Sequence, residues 1–75
     1  MTKNLPRRRI ASNLLITPEG KHLTQYVVEL DCGVVKEIYP LMQELPSTEW
    51  LPGTIVLKEN EEGDIKAYYK ELPIT

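Results

Sequence analysis

The stretch His22–Asp31, HLTQYVVELD, decides the fold class because it has the clearest alternation of apolar side chains in the chain. Tyr26, Val28 and Leu30 occupy alternate positions, and successive side chains of a β-strand point to opposite faces of the sheet. Alternation with β-branched and aromatic side chains is typical of a strand that is buried on one face. The sequence therefore predicts a half-buried strand here, with these three side chains in the core.

Four more strands are predicted on either side of this segment. Turn sequences separate them: Pro18 to Gly20, Cys32-Gly33, and a hairpin loop centred on Gly63. Two prolines in residues 41–52 predict a loop or a single helical turn for that segment. The predicted strands cover residues 8–17, 34–40, 53–58 and 65–70.

Two of these strands carry specific expectations about side-chain direction. Ile10, Leu14 and Ile16 share one parity, so the first strand is expected to point them all toward the core. In the third strand Val35 and Ile38 are three residues apart. Both face the core only if the strand contains a β-bulge; otherwise one of them faces a second apolar layer.

Short strands joined mostly by tight turns predict an all-β fold, a small antiparallel β-sandwich or open barrel of about five strands. We expect one small domain over residues 1–75, with residues 1–6 as a disordered lead-in. Meander connections predict that the first three strands are neighbours. The fourth and fifth strands are expected to form a hairpin that packs on that sheet or extends it.

Size and composition restrict the classes of function. A chain of 75 residues buries only about 60–65% of its unfolded surface, so self-association or binding to another protein is expected. The net charge of -2 gives no general field for nucleic acid. No apolar run approaches the roughly 18 residues of a membrane span, and no apolar segment follows the first basic residues. Together with the single unpaired cysteine, Cys32, this predicts a cytoplasmic protein.

The residues that most often carry chemistry do not form a recognisable site. His22 follows a turn with no evident partner and is predicted to lie on the surface. Cys32 has acidic neighbours, which disfavour a thiolate nucleophile, and is predicted to be a small residue at a strand end. The acidic segment 59–64 lacks the spacing of a calcium loop. We therefore predict no catalytic residue, no metal ligand and no cofactor.

Other side chains are candidates for binding. Arg7, Arg8 and Arg9 alternate faces, so a solvated strand edge is favoured over a phosphate-binding or acid-binding patch. Trp50, beside a Pro-Gly corner, is predicted to cover the core, with a binding anchor as the alternative. The adjacent tyrosines 68 and 69 are expected to face opposite sides of their strand, and the exposed one, with Tyr39, is a candidate dimer contact.

Residues 8–40, RRIASNLLITPEGKHLTQYVVELDCGVVKEIYP, resemble the N-terminal segment of the amidohydrolase superfamily, which includes dihydroorotase-, deaminase- and chlorohydrolase-like enzymes. Gly33, Val35 and Ile38 match its Gly-x-Ile-x-x-Ile strand, and Leu51-Pro52-Gly53 resembles the corner that leads into its catalytic barrel. The resemblance covers about three quarters of the chain. It implies the small β-sandwich that accompanies the metal-binding barrel in that family, called the composite domain.

The same resemblance implies the fold of the accessory β-sandwich but not the catalytic activity of the family. The His-x-His of the first barrel strand is missing after Gly53, and a barrel needs roughly 200 residues or more. No catalytic residue can be carried over. The leading hypothesis is a non-catalytic β-domain with a structural or protein-interaction role, which self-associates through a sheet edge or an exposed apolar face. The alternatives are an accessory subunit or fragment of a separately encoded metal-dependent hydrolase, and a small anionic-ligand-binding module that uses Arg7–Arg9.

Overall fold

The computed structural model describes residues 7–43 and 47–75, so the predicted lead-in, residues 1–6, lies outside the described part of the chain. The described residues confirm the all-β fold class and contain no helix. The strands are β1 (Arg7–Ile16), β2 (His22–Asp31), β3 (Val34–Pro40), β4 (Thr48–Glu59), β5 (Ile65–Tyr69) and β6 (Leu72–Pro73).

The bounds of β2 and β3 are those predicted, whereas β4 begins five residues before the predicted start at position 53. Thr48 to Leu51 therefore extend a strand, and the loop prediction was wrong for them. Pro52 and Gly53 lie inside β4 and do not form a corner in front of it. The two-residue strand β6 was not predicted, because so short a segment has no periodicity to read.

The strands form one sheet in the order β3-β2-β1-β4-β5-β6, and β3 also pairs with β5 through Val34 and Lys66. Five strands thus close into a ring. Strand directions cannot alternate all the way round a ring with an odd number of members, so at least one neighbouring pair must be parallel. Here β1 and β4 are that pair. The sheet is therefore mixed, not antiparallel throughout, while the β1-β2-β3 meander and the β4-β5 hairpin agree with the prediction.

Of the two alternatives considered for β3, the structure shows the β-bulge. Glu37 pairs with Glu29, and the next pair along is Val35 with Leu30, so Lys36 is an extra residue on β3. The extra residue brings Val35 onto the same side as Ile38, which pairs with the buried Val28. Val35 packs against the core, and Ile38 remains 36% exposed at its margin.

The direction of the β1 side chains changes at Asn13, which the sequence pattern did not predict. Ile10 faces the core before this position and Leu15 faces it afterwards, so the assignment of Leu14 and Ile16 to the core face was wrong. Opposite this point β2 has a left-handed residue, Gln25, with φ 55°. On the other side of β1, the pairing with β4 shifts in register. Ser12 pairs with Leu51 and Leu14 pairs with Thr54, so β4 has one residue more than β1 over this stretch.

The side chain of Asn13 bridges this irregularity. Its Oδ1 accepts a hydrogen bond of 2.8 Å from the backbone N–H of Gly53, which has φ 113° and lies in the extra stretch of β4. The backbone N–H that loses its regular strand partner is thereby satisfied. The core that results is formed by the side chains of Ile10, Leu15, Val28, Leu30, Ile55, Leu57, Ala67 and Ile74.

Replacement of Asn13 by alanine should lower the free energy of unfolding by about 0.5–1 kcal/mol, because the N–H of Gly53 loses its acceptor. Urea unfolding followed by circular dichroism measures this change. Asn13→Asp is the matched control, since it keeps an accepting oxygen and should remain closer to the wild type. Equal stability of Asn13→Ala and the wild type would contradict the assigned role of the side chain.

Candidate interaction surface

A line of apolar side chains crosses three strands on the outward face of the sheet. Ile16 pairs with Val56, and Val56 pairs with Tyr68, so the three lie side by side on β1, β4 and β5. The preceding residues Leu15 and Ile55 are core residues, and alternation therefore turns this line away from the core. We call Ile16, Val56 and Tyr68 the apolar row. All three are half-buried, and every described strand belongs to this one sheet, so no second sheet among the described residues covers the row.

Three lysines surround the apolar row. Lys58 and Lys66 face each other across β4 and β5, next to the row, and Lys70 follows β5. Directly opposed like charges on a sheet are destabilising unless something neutralises them. Within residues 7–43 and 47–75, none of these three lysines forms an ion pair. They therefore concentrate uncompensated positive charge at this face.

A shallow cleft of about 390 Å³ lies over Val56 and Tyr68 of the row. Its lining consists of Val56, Tyr68, Lys58, Lys70 and Glu71. The Nζ of Lys58 is 5.1 Å from the centroid of the Tyr68 ring, a cation–π distance. The two ammonium groups around the apolar floor outnumber the one carboxylate, that of Glu71, which suits a ligand that combines an apolar group with negative charge.

The three arginines of β1 differ from the lysines because carboxylates match their charges. β1 is an interior strand, so the prediction of a solvated edge was wrong, although the alternation of faces is confirmed. On one face, the carboxylate of Glu29 forms ion pairs with Arg7 at 3.3 Å and with Arg9 at 3.2 Å. Arg7 also forms an ion pair with the carboxylate of Asp31 at 3.5 Å. These contacts give the arginines a role within the fold.

Arg8 points to the opposite side, at one end of the ring. Its Nε and Nη2 donate to the two carboxylate oxygens of Glu49 at 2.9 and 2.6 Å, and its Nη1 donates to the carbonyl of Thr75 at 2.6 Å. This two-point geometry is the strong form of the arginine–carboxylate contact. The hydrogen bond from Arg8 lowers the pKa of Glu49 below its ordinary value.

Glu29 is the centre of the polar half of the outward face. The hydroxyl of Tyr39 donates to its Oε2, and this bond is the main reason that the pKa of Glu29 lies below its ordinary value of 4.5. Burial opposes the shift, and the bonds from Arg9 and Arg7 add to it. Burial, and then the bond to Glu29, raises the pKa of Tyr39. The hydroxyl therefore stays a donor, engaged within the chain.

The other residues singled out from the sequence show no chemical arrangement among the described residues. His22 is exposed at the first position of β2, as predicted, where it pairs with Ile16 of the apolar row. Cys32 is exposed in the turn after β2. In the acidic loop, Asn60 Oδ1 accepts the backbone N–H groups of Glu62 and Asp64. The described residues contain no group of three or more His, Cys, Asp or Glu side chains placed to hold a metal ion. Nor do they include a helix long and apolar enough to cross a membrane.

Trp50 is 49% exposed, so the prediction that it covers the core was wrong. Because β4 begins at Thr48, Trp50 is a strand residue paired with Ala11, and the following residue, Leu51, packs against the core. Alternation therefore turns the indole outward. Tyr69 packs against the core, in agreement with the prediction that the two adjacent tyrosines face opposite sides.

Sequence reasoning missed the apolar row. Its signal was present in Ile55-Val56-Leu57, where three consecutive apolar residues in a strand require one of them to point away from a one-sided core. Ile16 was expected to face the core, and none of the three lysines was singled out from the sequence.

No protein-family model matches the chain, and searches among curated proteins and among solved structures found no match. The resemblance to the amidohydrolase composite domain therefore stays a prediction, and function has to be argued from the surface itself.

Replacement of Tyr39 by phenylalanine should raise the pKa of Glu29 toward 4.5, because the charged carboxylate loses its main hydrogen-bond donor. Carboxyl resonances followed by NMR across a pH titration measure this shift. Tyr26→Phe is the control, since Glu29 has no bond to that hydroxyl. An unchanged Glu29 pKa in Tyr39→Phe would contradict the assignment.

The lowered pKa of Glu29 also determines how the free energy of unfolding changes with pH. The folded carboxylate holds its proton less tightly than the unfolded one, so Glu29 stabilises the fold above pH 4.5. That contribution is lost as the pH falls through the folded-state pKa. Urea unfolding should therefore show a difference between wild type and Glu29→Gln that is larger at neutral pH than in acid.

Proposed function

We propose that this chain is a non-catalytic β-domain whose role is to bind another polypeptide chain, either a different protein or a second copy of itself. The observation that carries the proposal is the apolar row on the outward face of β1, β4 and β5, which no second sheet of the described residues covers. Burial of apolar surface is the main driving force of protein association. An outward row of this kind gains from being covered.

The composition of the surface also supports binding to protein. Tyrosine is among the residues enriched in protein interfaces, and aliphatic side chains such as Ile16 and Val56 supply apolar area at about 25 cal/mol per Å² removed from water. The exposed Trp50 lies on the same strand and the same face as Val56, six residues earlier. It is a second potential anchor on β4.

The alternative of an anionic-ligand-binding module has less support than binding to protein. Arg7, Arg8 and Arg9, which it would use, already form ion pairs with carboxylates of the same chain. The other alternative, an accessory subunit of a separately encoded metal-dependent hydrolase, rests on the sequence resemblance. It is a special case of binding to another protein, and its partner would be a barrel enzyme. Metal-dependent turnover by the pure chain would contradict the non-catalytic part of the proposal.

Affinity capture from the native host, with quantitative identification of the bound proteins, tests the proposal. Val56→Asp should lose the captured partners, because a charge in the middle of an apolar contact is costly to desolvate. Met42→Asp is the matched control, an apolar-to-acid change at a side chain that is 84% exposed and follows β3. Tyr68→Ser provides a second variant in the row, and circular dichroism checks that each variant is folded.

Sedimentation of the three proteins identifies self-association, which Val56→Asp should also abolish. The proposal fails if wild type, Val56→Asp and Met42→Asp capture the same proteins and sediment alike.

A further inference from the structure

We infer that the apolar row binds an extended acidic peptide segment, in which an apolar side chain has a carboxylate two residues away from it. This inference rests on the proposed function and assigns the chemistry of the partner. Three features of the surface support it: the charge that remains uncompensated, the positions of the lysines along the strands, and the occupied face of the Tyr68 ring.

The uncompensated charge gives the sign of the partner. Carboxylates of the same chain bind the three arginines, whereas Lys58, Lys66 and Lys70 have no ion pair among the described residues. Lys58 and Lys66 also stand directly opposite each other. A partner that brings carboxylates to this face relieves their repulsion, and complementary charge gives specificity to the contact.

The lysine positions give the spacing. β5 runs antiparallel to β4, and Val56 is paired with Tyr68. Lys58 and Lys66 are each two residues from that pair along their strands, on the same side of it. Two residues of a strand span roughly 6.5–7 Å. An extended peptide that places its apolar side chain on Val56 therefore brings a carboxylate two residues away to these two ammonium groups. Lys70 lies in the left-handed turn after β5, with its Nζ 5.5 Å from the centroid of the Tyr69 ring, and does not continue this spacing.

The aromatic ring argues for a polypeptide over a single-stranded nucleic acid. Recognition of single strands uses base stacking on exposed aromatic faces. Lys58 already lies over the ring of Tyr68, at 5.1 Å from its centroid.

NMR titration of the ¹⁵N-labelled chain with defined peptides tests the inference. The probe is Ser-Glu-Thr-Leu-Thr-Glu-Ser with blocked ends. One control peptide has glutamine in place of both glutamates, and another has serine in place of leucine. Saturable shifts of the Val56 and Tyr68 amides are expected with the probe, and weaker binding is expected with either control. Binding should weaken as salt is raised, because exposed charge pairs are screened.

Variants of the chain separate the contributions. Lys58→Glu and Lys66→Glu should each weaken binding of the probe by roughly two- to fivefold, the effect of an exposed charge pair. The charge-matched control is Lys36→Glu, at an exposed residue of β3, and it should bind like the wild type. The triple variant Lys58→Glu, Lys66→Glu and Lys70→Glu should prefer a peptide with lysine in place of glutamate.

The outcomes distinguish this inference from the proposed function. If the glutamine peptide shifts the apolar row with equal affinity, the acidic specificity is wrong and the interaction role of the row stands. If no peptide gives saturable shifts of the row up to millimolar concentration, the inference is overturned, and the capture experiment with Val56→Asp decides the proposed function separately. Preferential binding of a labelled oligo-dT at the row, or row shifts that depend on the concentration of the chain alone, would also overturn the inference. Those results would assign the face to nucleic acid or to a second copy.

Discussion

The parallel pairing of β1 with β4 is the contact on which the rest of the structure depends. The β1-β2-β3 meander and the β4-β5 hairpin form from neighbours in sequence, and an isolated two-stranded hairpin such as β4-β5 is at best marginally stable in water. Pairing the two sets brings Leu15 beside Ile55, which are forty residues apart in sequence, and encloses the apolar faces of both. Because the ring has five members, a parallel pair is also the only way to close it with its other neighbours antiparallel.

The fit between these two strands explains both the core and the outward surface. β4 has one residue more than β1 around Gly53, and Asn13 bridges the excess with its side chain. The change of direction at Asn13 sends Leu15 into the core and leaves Ile16 outside, next to Val56. The apolar row and the closed core therefore have one origin. The polar half of the outward face, around Glu29, lies on the other side of the same irregularity.

Features that depend on residues close together in sequence were predictable. The bounds of β2 and β3, the turns and the bulge at Lys36 follow from spacing and from Pro and Gly positions within one or two strands. The wrong predictions concern which strand lies alongside: the direction of Leu14 and Ile16, the exposure of Trp50 and the interior location of the arginines. Each depends on the β1–β4 pair, which no local pattern encodes. The candidate surface was missed for the same reason, since Ile16, Val56 and Tyr68 come from three strands and are unremarkable one by one.

The bulge in β3 has a consequence for behaviour in concentrated solution. β3 pairs with β5 at a single position, so most of its far side has no strand alongside it within the described part of the chain. A flat strand with free backbone groups would recruit strands from other molecules and seed aggregates. The extra residue at Lys36 breaks the regular spacing of those groups, the exposed charges of Lys36 and Glu37 disfavour close approach, and Pro40 offers no N–H at the end of the strand. The bulge that turns Val35 and Ile38 to the same side thus also makes the unpaired part of β3 a poor template for aggregation.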